Sequence, residues 1–323
     1  MGWTANPGLR KEEMGSGCSG SLGMPMRLTI SIAALIAGLM LSPHLSAQNT
    51  KWNNSPLPKS AYVGKKSPAA PPRDLSGIWN GEAEGGVQAK GVLEYPALFP
   101  NDRADSDGGH ADETGILRPL SYTPAGLAAL KLNKPAVGVR AVPAGLTNNR
   151  VDICDPVGFP GMEFFELRVI QIAQTKNQVL VLNQFQTVWR VVWTDGRQLP
   201  IKDLGTRWNG YSVGKWVDDY TLVVQTVGMD ERAWLDNAGR PHSADMRVEE
   251  RWHRIDYDTL ELTVTIDDPT FYTQPWQALN KFVLHRLPDD YDMTDFSCSA
   301  IEIQEYNKEI GNPVAAGQSQ NSP

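Results

Sequence analysis

The alternation of apolar and polar residues predicts a chain built mainly from β-strands. Runs with a period of two, rich in β-branched and aromatic residues, cover 164–173, 179–193, 211–216, 222–227, 246–255 and 260–266. Helical patterns are rare: Thr123 before Pro124 predicts the start of one short helix, which reaches Leu132 and ends before Pro135. Short strands at this spacing are typical of an antiparallel barrel or a β-sandwich.

Polar turn sequences separate these strands. Residues 174–178 predict a hairpin between the first two runs, and Asp195-Gly196 predicts a tight turn because glycine tolerates a positive φ. Residues 217–220 and 256–259 break the next two pairs of runs. Downstream of residue 48 the sequence contains neither a GxGxxG nor a GxxxxGK[ST] motif, so dinucleotide and P-loop functions have no support.

The start of the folded region favours a barrel over a sandwich. Gly77-Ile78-Trp79 is similar to the Gly-x-Trp motif with which the first strand of lipocalin-like barrels begins. This resemblance implies a tryptophan that closes one end of the lumen. We therefore predict an all-β fold, a lipocalin-like antiparallel barrel with one short helix and long loops. A β-sandwich is the alternative, because a buried tryptophan is common in both architectures.

The N-terminal region has the features of a Sec-type signal peptide. After Met26, one arginine precedes the apolar run Leu28–Leu41, and small residues ending at Ala47 precede Gln48. The apolar run is too short to span a bilayer. We predict that translation starts at Met26, after an upstream extension, and that the mature protein starts near Gln48. We expect a periplasmic or secreted protein with no membrane span in the mature chain.

Composition divides the mature chain into three parts. Residues 48–73 are rich in Pro, Ser, Lys and Asn, which predicts a flexible linker. Residues 74–311 predict a single β domain. Residues 312–323 are small and polar, and they predict a disordered tail.

The net charge and the spacing of the histidines limit the classes of partner that the chain is expected to bind. The chain has 30 Lys and Arg against 37 Asp and Glu, a net charge of −7, so it carries no strong basic field for a phosphate backbone. We expect a small-molecule ligand or substrate and no nucleic acid. The histidines of the predicted mature chain are widely spaced and form no HExxH motif, so we predict no metal site and no cofactor.

Two cysteines, Cys154 and Cys298, remain after removal of the predicted leader. An even pair in an exported protein is most simply explained by a disulfide. Two separate buried thiols are the alternative.

Several long motifs resemble those of a large family of exported bacterial proteins, frequent in acidobacteria and some proteobacteria. The matching segments are CDPVGFP at 154–160, TDGRQLP at 194–200, the stretch 211–236 with SVGKW, TLVV and WLD, the stretch 239–256 with GRPHS and ERWHR, and TIDDP within 259–276. The resemblance implies export, a cysteine pair and β architecture. It transfers no activity and no catalytic residue.

The strand over 246–255 carries the first group of candidate site residues. Alternation places Val248, Glu250, Trp252 and Arg254 on one face, which we predict to face the lumen. An unpaired buried charge is costly, so Glu250 and Arg254 are expected to pair or to bind a ligand anion. A structural salt bridge between neighbouring strands is the alternative.

The segment 230–242 carries the second group. It is too polar to continue the sheet, so we predict a rim loop that acts as a ligand gate, with Trp234 as a ligand contact. His242 is placed where a general base is expected, and the Asp236 carboxylate would fix its tautomer. A hydrogen bond that only anchors the loop is the alternative.

Arg190 shares a strand face with apolar neighbours. It is either a ligand contact or an outward-pointing side chain whose stem covers the surface, and we favour the outward orientation.

These residues support three hypotheses of function. The first is a binding protein for a small, partly apolar or aromatic molecule, anchored by Arg254 and Trp252. The second is a cofactor-independent lyase, isomerase or hydrolase, with His242 as base, Asp236 orienting it, Glu250 as acid and Arg254 stabilising negative charge. The third is a structural protein with a filled core.

Overall fold

The computed structural model describes residues 60–62, 64–81, 109–111, 117–136, 140–164, 169–200, 205–236, 239–294 and 297–313. All of them belong to the compact unit Pro58–Pro323. The predicted signal peptide, the first part of the predicted linker and most of the predicted tail lie outside the described residues.

Nine of the described strands close into a single barrel, which confirms the predicted all-β fold. In chain order the barrel strands are β1 (Gly77–Asn80), β4 (Ile170–Gln174), β5 (Gln178–Asn183), β6 (Val188–Trp193), β7 (Tyr211–Trp216), β8 (Thr221–Val227), β9 (Arg247–Arg254), β10 (Thr259–Asp267) and β11 (Trp276–Arg286). Two further short strands, β2 (Gly109–Ala111) and β3 (Leu117–Pro119), form a separate sheet. Closure depends on β1, which pairs with β4 on one side and β11 on the other.

The strict alternation of the sequence appears as alternating burial in the strands. In β10 every second residue is fully buried, from Leu260 to Ile266, and in β9 the inward set runs from Val248 to Arg254. Their apolar members belong to one continuous core. Because residues two apart lie on the same face of a strand, this pattern fixes which side chains fill the barrel.

One strand pair departs from the predicted antiparallel arrangement. β6 and β7 pair in parallel, with Val192 opposite Ser212. Just before β7, the Asn209 side-chain amide donates to the carbonyl of Trp189 at 3.3 Å, so the chain enters β7 beside the start of β6 and runs in the same direction. The predicted turn at Asp195-Gly196 is present, with Gly196 at φ 86°, but it leads into the connection between β6 and β7 and not into a hairpin.

The predicted run over 179–193 is two strands, β5 and β6, and not one. Gln186 and Thr187 adopt positive φ angles of 57° and 52° in the turn between them. Neither glycine nor proline marks this turn, so composition carried no signal for it.

The predicted helix over 124–132 is confirmed as α1 (Pro124–Leu132), and the Thr123 hydroxyl caps it by accepting from the Gly126 N–H. Two further helices, α2 (Gly161–Phe164) and α3 (Ala300–Tyr306), were not predicted. A π-helical turn (Asn307–Gly311) continues α3. Two 3₁₀ turns, Ala144–Leu146 and Arg150–Ile153, lie between α1 and α2. Among the described helices, none has the length and apolar character needed to cross a membrane.

The described part of the predicted linker contacts the barrel from Ser60 onwards. The Ser60 hydroxyl donates to the carboxylate of Asp258, and the ring of Tyr62 lies 5.8 Å from that of Tyr257. These contacts are polar or edge-on, so they leave no apolar periodicity in the sequence.

The two ends of the barrel are closed differently. At the tryptophan end, where β1 begins, the fully buried Trp79 donates its indole N–H to the carbonyl of Leu75. At the opposite end lies a non-strand segment, residues 154–164, which includes α2 and which we call the plug segment. The candidate site lies beneath the plug segment.

Candidate functional site

Glu250 lies inside the barrel, as the alternation of β9 predicts. Its carboxylate is fully buried, and Val248, Trp252 and Arg254 face the same way. The indole N–H of Trp252 donates to Glu250 Oε1 over 2.9 Å. β9 therefore brings an acidic group into an otherwise apolar interior.

Arg190 also points inward, so the outward orientation that we favoured is wrong. It is 3% exposed, and its guanidinium makes two parallel hydrogen bonds to Glu250, from Nη1 to Oε2 at 2.8 Å and from Nη2 to Oε1 at 2.6 Å. A bidentate pair of this kind offsets much of the cost of burying both charges. The charge partner of Glu250 is thus Arg190 on β6.

A third group, Glu163, completes what we call the buried charge cluster: Glu163, Arg190 and Glu250. Glu163 lies in α2 of the plug segment, is buried, and has Oε1 3.7 Å from Arg190 Nη2. Sequence reasoning missed this residue because the pattern there predicted only a strand beginning at Phe164. The available signal in the sequence was a glutamate placed between two apolar neighbours, Met162 and Phe164.

The pKa values of Glu163 and Arg190 are shifted by their surroundings in the cluster. Burial raises the pKa of Glu163 well above its usual range, and the nearby Glu250 carboxylate raises that pKa further, against the attraction of Arg190. Burial alone would lower the pKa of Arg190, but Glu250 and Glu163 raise it overall, so the guanidinium stays charged. Glu163 is therefore the member of the cluster that gains a proton most easily, and its Oε2 has no hydrogen-bond partner among the described residues.

Arg190 keeps one unused donor. Its Nε–H is buried and has no hydrogen-bond partner among the residues the structure describes. The ring of Phe159, from the plug segment, lies against the guanidinium, 3.9 Å from its central carbon to the ring centroid. A cation–π contact of this kind stabilises the charge but does not replace a hydrogen bond.

The plug segment is joined to its surroundings by hydrogen bonds and by the apolar side chains Val157, Phe159, Met162 and Phe164, which belong to the core. The N–H of Val157 donates to Gln186 Oε1 at 2.7 Å, and Gln186 Nε2 donates to the carbonyl of Asp155 at 3.0 Å. The N–H of Phe159 donates to the carbonyl of Trp208 at 2.8 Å. These bonds come from the β5–β6 turn and from the segment before β7, so the plug segment spans that end of the barrel.

A disulfide holds one end of the plug segment. Cys154 and Cys298 are bonded, with their Cα atoms 5.4 Å apart, as the sequence predicted. The bond ties the segment to the chain just before α3.

Arg254 does not pair with Glu250, so that predicted pairing is wrong. Four positions along one strand correspond to roughly 13 Å, too far for a direct contact between these two side chains. Arg254 lies instead at the tryptophan end, where its guanidinium donates to the carbonyls of Asp74, Ser76, Asp256 and Tyr257.

The predicted pairing of His242 with Asp236 is also wrong. Asp236 forms a buried ion pair with Arg240. His242 donates from Nδ1 to the carbonyl of Ser243 at 3.1 Å, and its Nε2 is buried without a hydrogen-bond partner among the described residues. Burial lowers the pKa of His242, which favours the neutral ring.

The segment 230–242 is a loop, as predicted, but it is buried and not an open rim. Trp234, Leu235 and Arg240 are all buried. The carbonyl of Trp234 lies 2.6 Å from the point that a Cβ on Gly161 would occupy, so only glycine fits at Gly161. The loop therefore packs against the plug segment, and residues 154–164, not the predicted loop, cover this end of the barrel.

Fold and site together define a class of architecture: a closed β-barrel with a buried charge cluster under a tethered plug. No group of three or more His, Cys, Asp or Glu side chains that could hold a metal ion occurs in the described part of the chain. Comparison with models of protein families, with curated proteins and with solved structures finds no match to this chain. The resemblance to exported bacterial proteins stays a prediction.

Proposed function

We propose that this chain is an exported, lipocalin-like binding protein that takes a small, partly apolar or aromatic molecule inside its barrel, beneath the plug segment. The observation that carries the proposal is the unpaired Nε–H of Arg190, a buried donor inside an apolar barrel. Arg190 is the anchor of the bound molecule, and Trp252 and Phe159 line the site beside it.

The physical argument concerns stability. A buried N–H without an acceptor costs about 1–3 kcal/mol, and a buried ion pair is often no better for stability than apolar residues of the same volume. A barrel with only a structural role would gain by replacing the buried charge cluster with leucine or valine. A ligand that supplies the missing acceptor explains why the charged groups are kept.

The geometry favours binding over the acid–base enzyme that the sequence also suggested. Such an enzyme needs its base, its acid and its anion-stabilising group around one point. His242 lies in the loop behind the plug segment, Glu250 lies in the middle of β9, and Arg254 lies at the tryptophan end. The three groups do not converge.

Calorimetric titration of the chain from Gln48 with small aromatic amides, alcohols and acids tests the proposal. We expect saturable one-to-one binding of at least one probe, weakened at least tenfold in the double variant Arg190→Met with Glu250→Gln. The double change removes both charges together, which avoids leaving one charge unpaired in the core.

Two matched controls separate the interior from the surface. Arg197→Met removes an exposed guanidinium that stacks on Trp193, and Trp189→Ala removes the most exposed tryptophan of the described residues, so both should bind like the parent protein. Failure of every probe to bind, or binding lost in Trp189→Ala but kept in the double variant, would sink the proposal in favour of a filled structural core or of surface adsorption.

A further inference from the structure

Most of the exposed apolar residues of the described chain lie outside the barrel, in short helices and helical turns. Large apolar side chains are exposed at ten described positions, and six of these positions belong to helical elements. They are Leu127, Leu132, Ile153, Ile301, Tyr306 and Ile310. Single exposed residues of this kind are normal on a protein surface, but a group of six in neighbouring segments is typical of an interaction site.

These elements form one connected layer, which we call the helical layer: α1, the two 3₁₀ turns, α3 and its π-helical turn. The first 3₁₀ turn contacts the π-helical turn, and the second contacts α3. Between the two 3₁₀ turns, Asn148 donates to the carbonyl of Leu132 at 3.0 Å and accepts from the N–H of Lys134 at 2.7 Å. The exposed apolar residues therefore belong to adjoining parts of the surface.

α3 leaves most of its surface uncovered. Among residues 301–306 only Ile303 is half-buried, and the other five are exposed, with Ile301 at 73%. Helices shorter than about 12 residues are marginal on their own in water, and α3 has seven. The disulfide before α3 and its contacts with the second 3₁₀ turn hold the helix in place. These contacts leave its apolar residues facing water, so a second surface that covers them would stabilise the helix.

The two sides of the helical layer carry charges of opposite sign. On the α1 side, Lys131 and Lys134 are exposed, and neither forms an ion pair with another described residue. The α3 side, with its π-helical turn, carries three glutamates and one lysine: Glu302, Glu305, Glu309 and Lys308. The lysine lies 3.7 Å and 3.1 Å from two of these carboxylates. The α1 side is therefore basic, and the α3 side is acidic.

We propose that the helical layer is the interface of a homodimer, in which the α1 side of each copy packs on the α3 side of the other. In a two-fold dimer every contact between two different patches occurs twice, so a basic side and an acidic side meet their complements in both copies. The apolar residues supply the affinity, and the charges fix the orientation of the two copies.

The size of the helical layer fits this role. A stable dimer interface buries roughly 800 Å² and about 20–30 residues on each partner. The segments 124–134, 144–153 and 300–311 are long enough to supply such a surface. The barrel interior takes no part in this contact, so the proposed dimer is independent of the proposed ligand site.

Light scattering coupled to size-exclusion chromatography, over a series of concentrations of the chain from Gln48, tests the proposal. We expect a dimer with a dissociation constant of about 1 μM or tighter. Ile310→Lys should weaken it about tenfold or more, because an apolar contact is lost and a positive charge meets the basic side of the other copy. Ile255→Lys is the matched control: both isoleucines are 48% exposed, but Ile255 lies outside the helical layer, and its variant should dimerise like the parent protein.

A charge exchange tests the pairing of the two sides. The double variant Lys131→Glu with Lys134→Glu and the double variant Glu302→Lys with Glu305→Lys should each dimerise about tenfold more weakly, because like charges then meet. An equimolar mixture of the two should recover a dimer about as tight as that of the parent protein. In the mixed dimer both contacts again join opposite charges. All four positions are exposed, so the far-UV circular dichroism of these variants should match that of the parent protein.

Three results would overturn the proposal. The first is a parent protein that stays monomeric at about 100 μM, whether it remains free or co-sediments with phosphatidylglycerol vesicles, which would assign the helical layer to a lipid surface. The second is a dimer lost in Ile255→Lys but kept in Ile310→Lys, which places the interface elsewhere. The third is a mixture of the two charge variants that stays as weak as each variant alone. None of these results bears on binding inside the barrel, which the calorimetric titration measures.

Discussion

The two ends of the barrel bury the same kind of group in opposite ways. At the tryptophan end, Arg254 donates to four backbone carbonyls, and its guanidinium carbon lies 5.0 Å from the ring centroid of Trp79. At the plug end, Arg190 lies under Phe159, its partners are two titratable side chains, and one of its donors is unpaired. Each end thus has an arginine and an aromatic ring, but only one has all its arginine contacts fixed.

The difference lies in what each arginine depends on. Backbone carbonyls do not titrate and move only with the fold, so the contacts of Arg254 persist as long as the barrel does. Carboxyl groups change charge with pH, and the partners of Arg190 are the carboxyl groups of Glu163 and Glu250. Arg254 is therefore held by groups that do not titrate, and Arg190 by groups that do.

The largest expected effect comes from breaking the buried charge cluster on one side only. Arg190→Met leaves Glu250 buried and unpaired, which should lower the free energy of unfolding by about 3–5 kcal/mol at pH 7. Urea unfolding followed by tryptophan fluorescence measures this loss. Adding Glu250→Gln should restore most of the stability, since both charges are then gone. A single variant that loses under about 1 kcal/mol would contradict the assigned pairing.

A smaller effect is expected at the tryptophan end. Lysine carries one charged nitrogen in place of the planar guanidinium, so Arg254→Lys leaves several of the four carbonyls without a donor. We expect a loss of about 2 kcal/mol in the free energy of unfolding. The loss should be the same at pH 5 and pH 8, because the four hydrogen-bond acceptors are backbone carbonyls, which do not titrate. A loss that changes with pH over this range would erase the contrast between the two ends.

The smallest expected effect, counted per pH unit, is the pH dependence of the free energy of unfolding that arises at the plug end. The pKa of Glu163 is higher in the folded protein than its ordinary value of 4.5, so its contribution to stability is complete below that value and declines as pH rises towards the folded pKa. Relative to Glu163→Gln, the parent protein should lose about 1.4 kcal/mol per pH unit over this window. Parallel stability curves for the two proteins between pH 5 and pH 8 would show that Glu163 is not held neutral.

Much of the architecture could be predicted because it depends on local pattern. Alternation located β7 from Tyr211 to Trp216 and assigned the inward face of β9, and the Thr123-Pro124 signal located α1. β11 was missed because its alternation is interrupted: Lys281 has a φ of 53°, and the pairing with β10 shifts register near that position. A bulge reverses which residues face inward, so a period-two pattern fails across it.

The candidate site was harder to predict because it depends on which inward residues meet across the barrel. Alternation predicts which face of the strand Glu250 occupies but not which residue it pairs with. Its partner, Arg190, is 60 positions away in the chain. The nearer cation on the same face, Arg254, was the natural guess from the sequence. Glu163 could not be predicted for another reason. The helix that carries it, α2, has four residues, which are too few to show a helical period in the sequence.

Closure of the barrel through β1 has a consequence for the order of folding. β1 has only four residues, yet it joins β4 to β11, and Arg286 contacts Ser76 across 210 positions of the chain. Contacts this distant form late, because the entropy of the whole intervening loop must be lost first. Until that step, β4 and β11 present unpaired backbone edges, which are the sites where chains associate with one another. A chain that stops before Trp276 lacks β11. In such a chain β1 can pair with β4 but has no second partner strand, so the barrel stays open.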